Sequence, residues 1–342
     1  MAIAAQEQAQ QLMSMPPVRF SPRRLGHANL FIGELDRSVH FYEKIAGLQD
    51  AFRIDQVNAA FLTNGNTHHD LGIVECSTKP LLGRDGKPVP SSERAHTPGL
   101  NHMGWEMENE QELIEAYQRA VEYDLPIYRL IDHQTAHSVY LFDPDGNENE
   151  IYADIIPDWR TFFETQKGRP VTGSWEPDPD SALSERRFNL DPEWRRVEDA
   201  AVHSRRFTHL VYLTANHGAM VDYYSEVMGL EQVFESGPGD IVLFNGSGSN
   251  HAFTVGLVAQ DPGAAAAVHH YSYQAVDEDD LVGAEARLRA AGQTIEKKVD
   301  NASKLALFVR DPDDMLCEFY FAREPDFAST MDGDPADRPY LV

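Results

Sequence analysis

Three side chains far apart in this sequence could build one reaction centre: the imidazoles of His27 and His102 and the carboxylate of Glu150. Two imidazoles and one carboxylate facing one ion leave up to three coordination positions open, which suits Fe(II) that must hold a substrate and O2 together. Zinc hydrolases also use two His and a Glu, so these residue types alone leave the chemistry open. A lone strand His is more often a packed, hydrogen-bonded residue than a ligand, and a Glu beside a turn is often plain surface. The local setting of Glu150 bears on that choice. From Ile131 the chain reads I-D-H-Q-T-A-H-S-V-Y-L-F-D-P-D-G-N-E-N-E. A loop carries His133, a short apolar strand over Val139 to Phe142 carries Tyr140, and Asp143-Pro144-Asp145-Gly146 reverses the chain. Pro fixes φ and Gly tolerates positive φ, so this is a turn with a mechanism, and it delivers Glu150 to the next strand.

The elements that must position these residues follow from periodicity. Leu25, His27, Asn29 and Phe31 alternate with Gly26, Ala28, Leu30 and Ile32, as in a strand. Leu35, Val39, Tyr42 and Ala46 fall at helical spacing, and Gly47 ends that helix. Ala59 to Thr63 and Asp70 to Glu75 read as strands, giving a β-α-β-β-β order. After a Gly-, Pro- and charge-rich loop, Ser77 to Pro98, the order repeats. His102 to Met107 is a strand, Glu110 to Tyr123 a helix, and the Tyr140 and Glu150 stretch supplies the closing strands.

The whole arrangement then recurs. His27 and Gly47 stand 20 residues apart, as do His209 and Gly229; His27 and His69 stand 42 apart, as do His209 and His251. His102 and Glu150 stand 48 apart, as do His270 and Glu318. Repeats at fixed spacing mark a duplication. The fold class expected is α+β: two tandem domains, each a pair of βαβββ modules. The boundaries expected are an N-terminal tail at 1–20, a first domain at 21–156, a connector at 157–205, a second domain at 206–325 and a C-terminal tail at 326–342. The connector, rich in Pro, Asp, Glu and Arg, should pack in part through Trp159, Trp175 and Trp194.

Composition narrows the partners. A net charge of −26 over 342 residues disfavours nucleic acid and anionic membranes. Two cysteines, Cys76 and Cys317, imply no disulfide framework and no Cys-type zinc site. The N-terminus lacks the basic and apolar regions of a signal peptide, and no apolar run is long enough to span a bilayer, so a cytoplasmic location is expected.

The repeat, the triad and above all the His133 to Glu150 stretch resemble the vicinal-oxygen-chelate superfamily, and within it the two-domain type I extradiol ring-cleavage dioxygenases, over most of residues 21–325. The family's pattern is a His, a short gap, an aliphatic residue, Tyr, two residues, Asp-Pro, a Gly and then Glu. Here His133, Val139-Tyr140, Asp143-Pro144, Gly146 and Glu150 meet every constrained position. The resemblance implies that His27, His102 and Glu150 hold Fe(II), with Mn(II) accepted by the same ligand set. It implies that His69, in His68-His69-Asp70-Leu71, is the acid–base residue, and that His133 and Tyr140 contact a catecholic substrate. It further implies O2 as co-substrate and a homo-oligomer. His68, His96 and His137 are expected to be bystanders; Met103, Trp105, Phe61 and the 77–98 loop are expected to line the pocket.

The second half departs from the pattern. His209, His270, Glu318 and His251 form a second candidate set, but Asn301 stands where His133 does and Phe308 where Tyr140 does. Asn does no acid–base work near neutral pH and Phe offers no hydroxyl. The catalytic site is therefore expected in the first half, with the second a structural partner that retains at most residual metal binding. Two readings compete with a dioxygenase. One is a glyoxalase-like isomerase or another non-oxygenase metalloenzyme, which needs the triad but neither O2 nor His133 with Tyr140. The other is a metal-free small-molecule-binding protein.

Overall fold

The computed structural model describes residues 18–77, 82–84, 86, 96–166, 172–189, 192–237, 239–249, 251–324, 326–330 and 334–342. The first module runs β1 (Arg24–Ile32), α1 (Leu35–Lys44), β2 (Gln49–Ile54), β3 (Ala59–Thr63) and β4 (Leu71–Glu75). The second runs β5 (Gly99–Glu106), α2 (Glu110–Glu122), β6 (Arg129–Asp132), β7 (Ala136–Phe142) and β8 (Glu148–Asp154). The connector contributes α3 (Trp159–Thr165) and β9 (Gly173–Ser174). The second half repeats the order with β10 (Ser204–Thr214), α4 (His217–Asp222), β11 (Glu231–Glu235), β12 (Ile241–Asn245) and β13 (Val255–Ala259). It closes with β14 (Ala267–Ala275), α5 (Glu278–Ala290), β15 (Ile295–Asp300), β16 (Lys304–Arg310) and β17 (Leu316–Ala322), then α6 (Phe327–Thr330) and α7 (Arg338–Leu341).

Each half is one sheet built from both of its modules. The first has the order β2-β3-β4-β1-β5-β8-β7-β6-β9, and the second β11-β12-β13-β10-β14-β17-β16-β15. The first strands of the two modules, β1 and β5, pair antiparallel at the centre. Each is also paired in parallel to the last strand of its own module, β4 and β8. The helices start where side chains cap them. Glu34 accepts from the backbone N–H of Asp36 and Arg37, Asn109 from that of Glu112, and Asp277 from that of Asp280. The helix α1 ends at Gly47, whose φ is +74°, and a Cβ there would lie 2.3 Å from the Val202 carbonyl oxygen.

The halves interlock through their reversing turns. Asp311, in the turn before β17, accepts a hydrogen bond of 2.6 Å from the Tyr42 hydroxyl of α1. Asp143, in the turn before β8, accepts one of 3.4 Å from Tyr224, the residue at the matching position in the second half. Gly33 N–H donates to Asp313, and the Asn216 side-chain amide, one residue beyond the place matching Gly33, donates to Asp145. One continuous apolar core contains Leu25, Leu30, Met103 and Trp105 from the first half and Leu210, Tyr212, Tyr271 and Phe319 from the second. The Asp-Pro turns therefore orient Glu150 and Glu318 and also clasp the opposite half.

Val18 and Phe20 are buried, and Arg19, Phe20 and Ser21 donate backbone hydrogen bonds to the turn after α4. Trp175 stacks on His137 at 4.6 Å, and Trp194 donates to the Ser204 carbonyl. Val342 is buried against the second sheet. Among the described residues no helix is long and apolar enough to cross a membrane. Cys76 and Cys317 are free thiols.

Candidate metal centre

Register places the candidate residues in a row across four strands. His27 of β1 pairs with Gly104 of β5, Gly104 with Glu150 of β8, and Glu150 with Tyr140 of β7. Partners in register point to the same face of a sheet, so these side chains share one surface. His102, two residues from Gly104 on β5, joins the same face. Gly104 is the gap that admits the His27 ring: a Cβ there would lie 2.1 Å from it. Such a close approach explains a glycine in the middle of a strand.

The donors converge. His27, His102 and Glu150 each offer an atom within 4.8 Å of the others, and all three are buried. His27 Nε2 lies 3.0 Å from Glu150 Oε2. His102 Nε2 lies 3.0 Å from the same oxygen, but off the line a hydrogen bond needs, so this buried nitrogen has no hydrogen-bond partner. Ser138 donates to Glu150 Oε1 at 2.6 Å, and His133 Nε2 lies 3.3 Å from that oxygen. Burial alone would raise the Glu150 carboxyl, but contacts with His102, His133 and His27 outweigh it and hold it well below its ordinary value. Burial keeps His27 neutral by lowering its pKa, against the pull of Glu150. Two buried imidazoles, one carboxylate and an unsatisfied buried nitrogen are a donor set that fits a divalent ion.

The remaining candidates surround this centre. The His69 ring lies 4.1 Å from the His27 ring, centroid to centroid. Its Nε2 faces Asn29 Oδ1 at 3.2 Å and its Nδ1 faces His68 Nδ1 at 2.7 Å. An amide oxygen only accepts, so with Asn29 so oriented His69 carries its proton on Nε2 and accepts at Nδ1 from His68. Burial, followed by the His27 and His68 rings, lowers the His69 pKa well below its usual value. Tyr140 Oη lies 3.0 Å from His133 Nε2, and its ring meets His102 edge-on at 5.6 Å. Arg129 caps the Tyr140 ring at 4.3 Å. Burial and the Glu150 charge push the Tyr140 hydroxyl well above its ordinary pKa.

Several expectations need correcting. His68 lies beside the centre: it is buried, belongs to a second close group with His27 and His69, and reaches Asp154 at 3.6 Å. Met103 and Trp105 do not line the site. Strand alternation turns them to the opposite face, where Met103 accepts from Tyr212 and Trp105 donates to Asn149. Phe61 does flank the centre, with its ring 5.0 Å from His69. It belongs to a stack that sequence reading missed: Phe61 on Phe52 at 4.3 Å, and Phe52 on Phe163 of α3 at 3.7 Å. The connector thus supplies an aromatic wall to the first half. Most of the 77–98 loop lies outside the described residues. His137 pairs with Glu110 at 2.5 Å, and His96 is exposed.

The second half builds the same row: His209 pairs with Ser272, Ser272 with Glu318, and Glu318 with Phe308. His209, His270 and Glu318 converge within 4.8 Å, with His209 Nε2 3.1 Å from Glu318 Oε2 and His270 Nε2 3.5 Å from it. His251 is not in that group; its Nδ1 faces the Phe253 carbonyl oxygen, and the Phe253 ring stacks 4.2 Å from His209 where His69 meets His27. Asn301 caps its own turn, accepting from the N–H groups of Ser303 and Lys304. Phe308 meets His270 edge-on at 5.2 Å. Lys304, which no motif singled out, lies 2.6 Å from Glu318 Oε1.

A doubled βαβββ sheet with two imidazoles and a carboxylate on its inner face defines a class of metal-site scaffold. The chain belongs to the Glyoxalase/Bleomycin resistance protein/Dioxygenase superfamily, whose family model matches residues 24–151 and again 206–319. Over 130 residues it is 32% identical to the catechol-2,3-dioxygenase of Bacillus subtilis (strain 168); that match spans 38% of this chain and 41% of the relative. Among solved structures it resembles the 2,3-dioxygenase LapB from Pseudomonas sp. KL28, with a TM-score of 0.63 at 16% identity over 92% of this chain and 96% of that one. It also resembles the Mn(II)-bound glyoxalase from Novosphingobium aromaticivorans, with a TM-score of 0.61 at 13% identity over 88% and 82%. At such identities these two likenesses show the fold alone.

Proposed function

We propose that the first half is an extradiol ring-cleavage dioxygenase site, opening a catechol-type aromatic ring with O2 at a mononuclear Fe(II) held by His27, His102 and Glu150. The observation that carries this reading is the gathering of His69, His133 and Tyr140 around that triad. An isomerase or hydrolase needs the triad but has no use for all three. The partial match to a catechol-2,3-dioxygenase supports the same reading. When bound, the metal would lower the pKa of a catechol hydroxyl and bring the diol and O2 together.

The chain's own residues have separable tasks. His69, held neutral by burial, takes up a substrate proton and returns it as a general acid. His133 and Tyr140, hydrogen-bonded to each other, present a polar edge to the substrate oxygens. Ser138 fixes the outer carboxylate oxygen and leaves Oε2 toward the imidazoles. The stacked Phe52, Phe61 and Phe163 rings offer an apolar wall on the His69 side and keep water from that imidazole. Mn(II) is accepted by the same donors. O2 uptake by Fe(II)-loaded protein across a panel of catechols, with spectra of a muconic-semialdehyde type product, tests the proposal. Metal-loaded protein that consumes no O2 with any catechol overturns it.

A further inference from the structure

The two triads differ in how their carboxylates are neutralised. Glu150 has imidazoles and a serine hydroxyl for partners, with no lysine or arginine among its ion pairs in the described residues. Glu318, fully buried, has the ammonium of Lys304 at 2.6 Å, and Lys304 is itself 4% exposed. Lys304 also donates to an oxygen of buried Val342, and Ser272 holds the other carboxylate oxygen of Glu318 at 2.6 Å. Lys304 occupies the first position of β16. The matching residue at the start of β7 is Ala136, whose methyl group carries no charge. The registers agree: Lys304 pairs with Ala322 as Ala136 pairs with Asp154.

We infer that Lys304 is a covalently attached replacement for a metal ion: its ammonium neutralises Glu318, so the second triad, complete in residue type, does not take up metal. The donors His209, His270 and Glu318 converge, but a divalent ion joining them would meet a fixed positive charge on the same carboxylate. A buried carboxylate needs one compensating cation, and here the chain supplies it. Ser272 and Val342 hold the lysine–glutamate pair in place. The second triad is thus a latent metal site, and Lys304→Ala, which restores the residue found at position 136, unmasks it.

The test counts Mn(II) ions per full-length chain, with the metal present during expression, by metal analysis and by the EPR signal of free Mn(II). Wild type is expected to hold one ion and Glu150→Gln none. Lys304→Ala is expected to hold two, and Lys304→Ala with Glu150→Gln one, which disappears on adding His270→Ala. The single ion in wild type rests on the proposed first site. If wild type holds none, that reading fails, while a gain in Lys304→Ala still upholds this one. A Glu150→Gln chain that keeps an ion, lost on His270→Ala, overturns the inference with Lys304 intact, so that arm decides even if the alanine variant does not fold. A folded Lys304→Ala chain that gains no ion overturns it too.

Discussion

The two halves present the same four-strand row on nearly the same backbone, yet one is arranged for a ligand and the other is closed. In both, the carboxylate meets imidazoles and a serine, and one imidazole nitrogen, His102 Nε2 or His270 Nε2, is buried without a hydrogen-bond partner. In the second, Glu318 meets a lysine, and aromatic rings stand where acid–base groups would. Phe253 takes the place of the His69 ring, Phe308 that of Tyr140, and Tyr340 of α7 packs edge-on against Phe308. The difference teaches that two halves can keep the same triad and still differ in what surrounds it. In the second, a lysine holds the carboxylate oxygen turned away from the imidazoles, and aromatic rings fill the flanking space.

The sharpest way to break this comparison is to strike equivalent residues. His27→Ala, or chelation of the metal, should reduce ring cleavage to background, while His209→Ala should leave turnover in place; kcat for both variants checks it. Next in size, His69→Ala should keep its metal and lose about 10²–10⁴-fold in kcat, the usual worth of a general acid–base group. His251→Ala should change kcat little, because that ring faces the Phe253 carbonyl oxygen.

Stability should divide the halves in the opposite sense. Glu318→Ala takes the carboxylate from the buried Lys304 ammonium, leaves it only the Val342 oxygen, and should cost about 3–5 kcal/mol by urea unfolding. Glu150→Ala in metal-free protein leaves no lysine or arginine without its carboxylate and should cost far less. Equal losses would sink the distinction between the two carboxylates.

The smallest expected effect concerns acid. Arg24 pairs with buried Glu106 at 2.7 Å, whereas Arg206, its counterpart, meets the neutral amide of Gln274 at 2.9 Å. Burial lowers the Arg206 pKa to about 10. At Glu106 burial would raise the carboxyl pKa, but Arg24 and Arg23 outweigh it and depress it below its ordinary 4.5. A depressed folded-state pKa gives stability that is present above the unfolded value and lost as pH falls through the folded one. Wild type should therefore weaken below about pH 4.5, as the unfolded chain takes up a proton there that the folded chain resists. Glu106→Gln, which copies the second half, should flatten that acid slope at a cost on the order of 2 kcal/mol at neutral pH. Urea midpoints between pH 3 and 7 check it; an unchanged slope contradicts the assignment.

Much of this was legible in the sequence because strand alternation and turn chemistry are local. The alternation about His27 and His102, the Asp-Pro turns and the matched intervals between halves gave the module order, and the order in turn makes a common face for His27, His102 and Glu150. Asn301 and Phe308 already marked the second half as altered. Met103 and Trp105 were expected in the pocket, although their alternation with His102 along β5 puts them on the other face. Other features left no such signal. His68 looked idle beside His69, and Phe163 sat in a connector with no pattern to tie it to Phe52.

The amino-acid order by itself determined the duplication, the two triads and the chemistry their donor types permit, since each depends on residue type and on intervals along the chain. Only the tertiary structure shows that one of the two triads has a lysine on its carboxylate. Lys304 looks like an ordinary strand residue until β16 is laid beside β17 and its ammonium meets Glu318. Whether a buried carboxylate still needs a cation depends on charges brought together across the sheet, and no spacing along the chain records that.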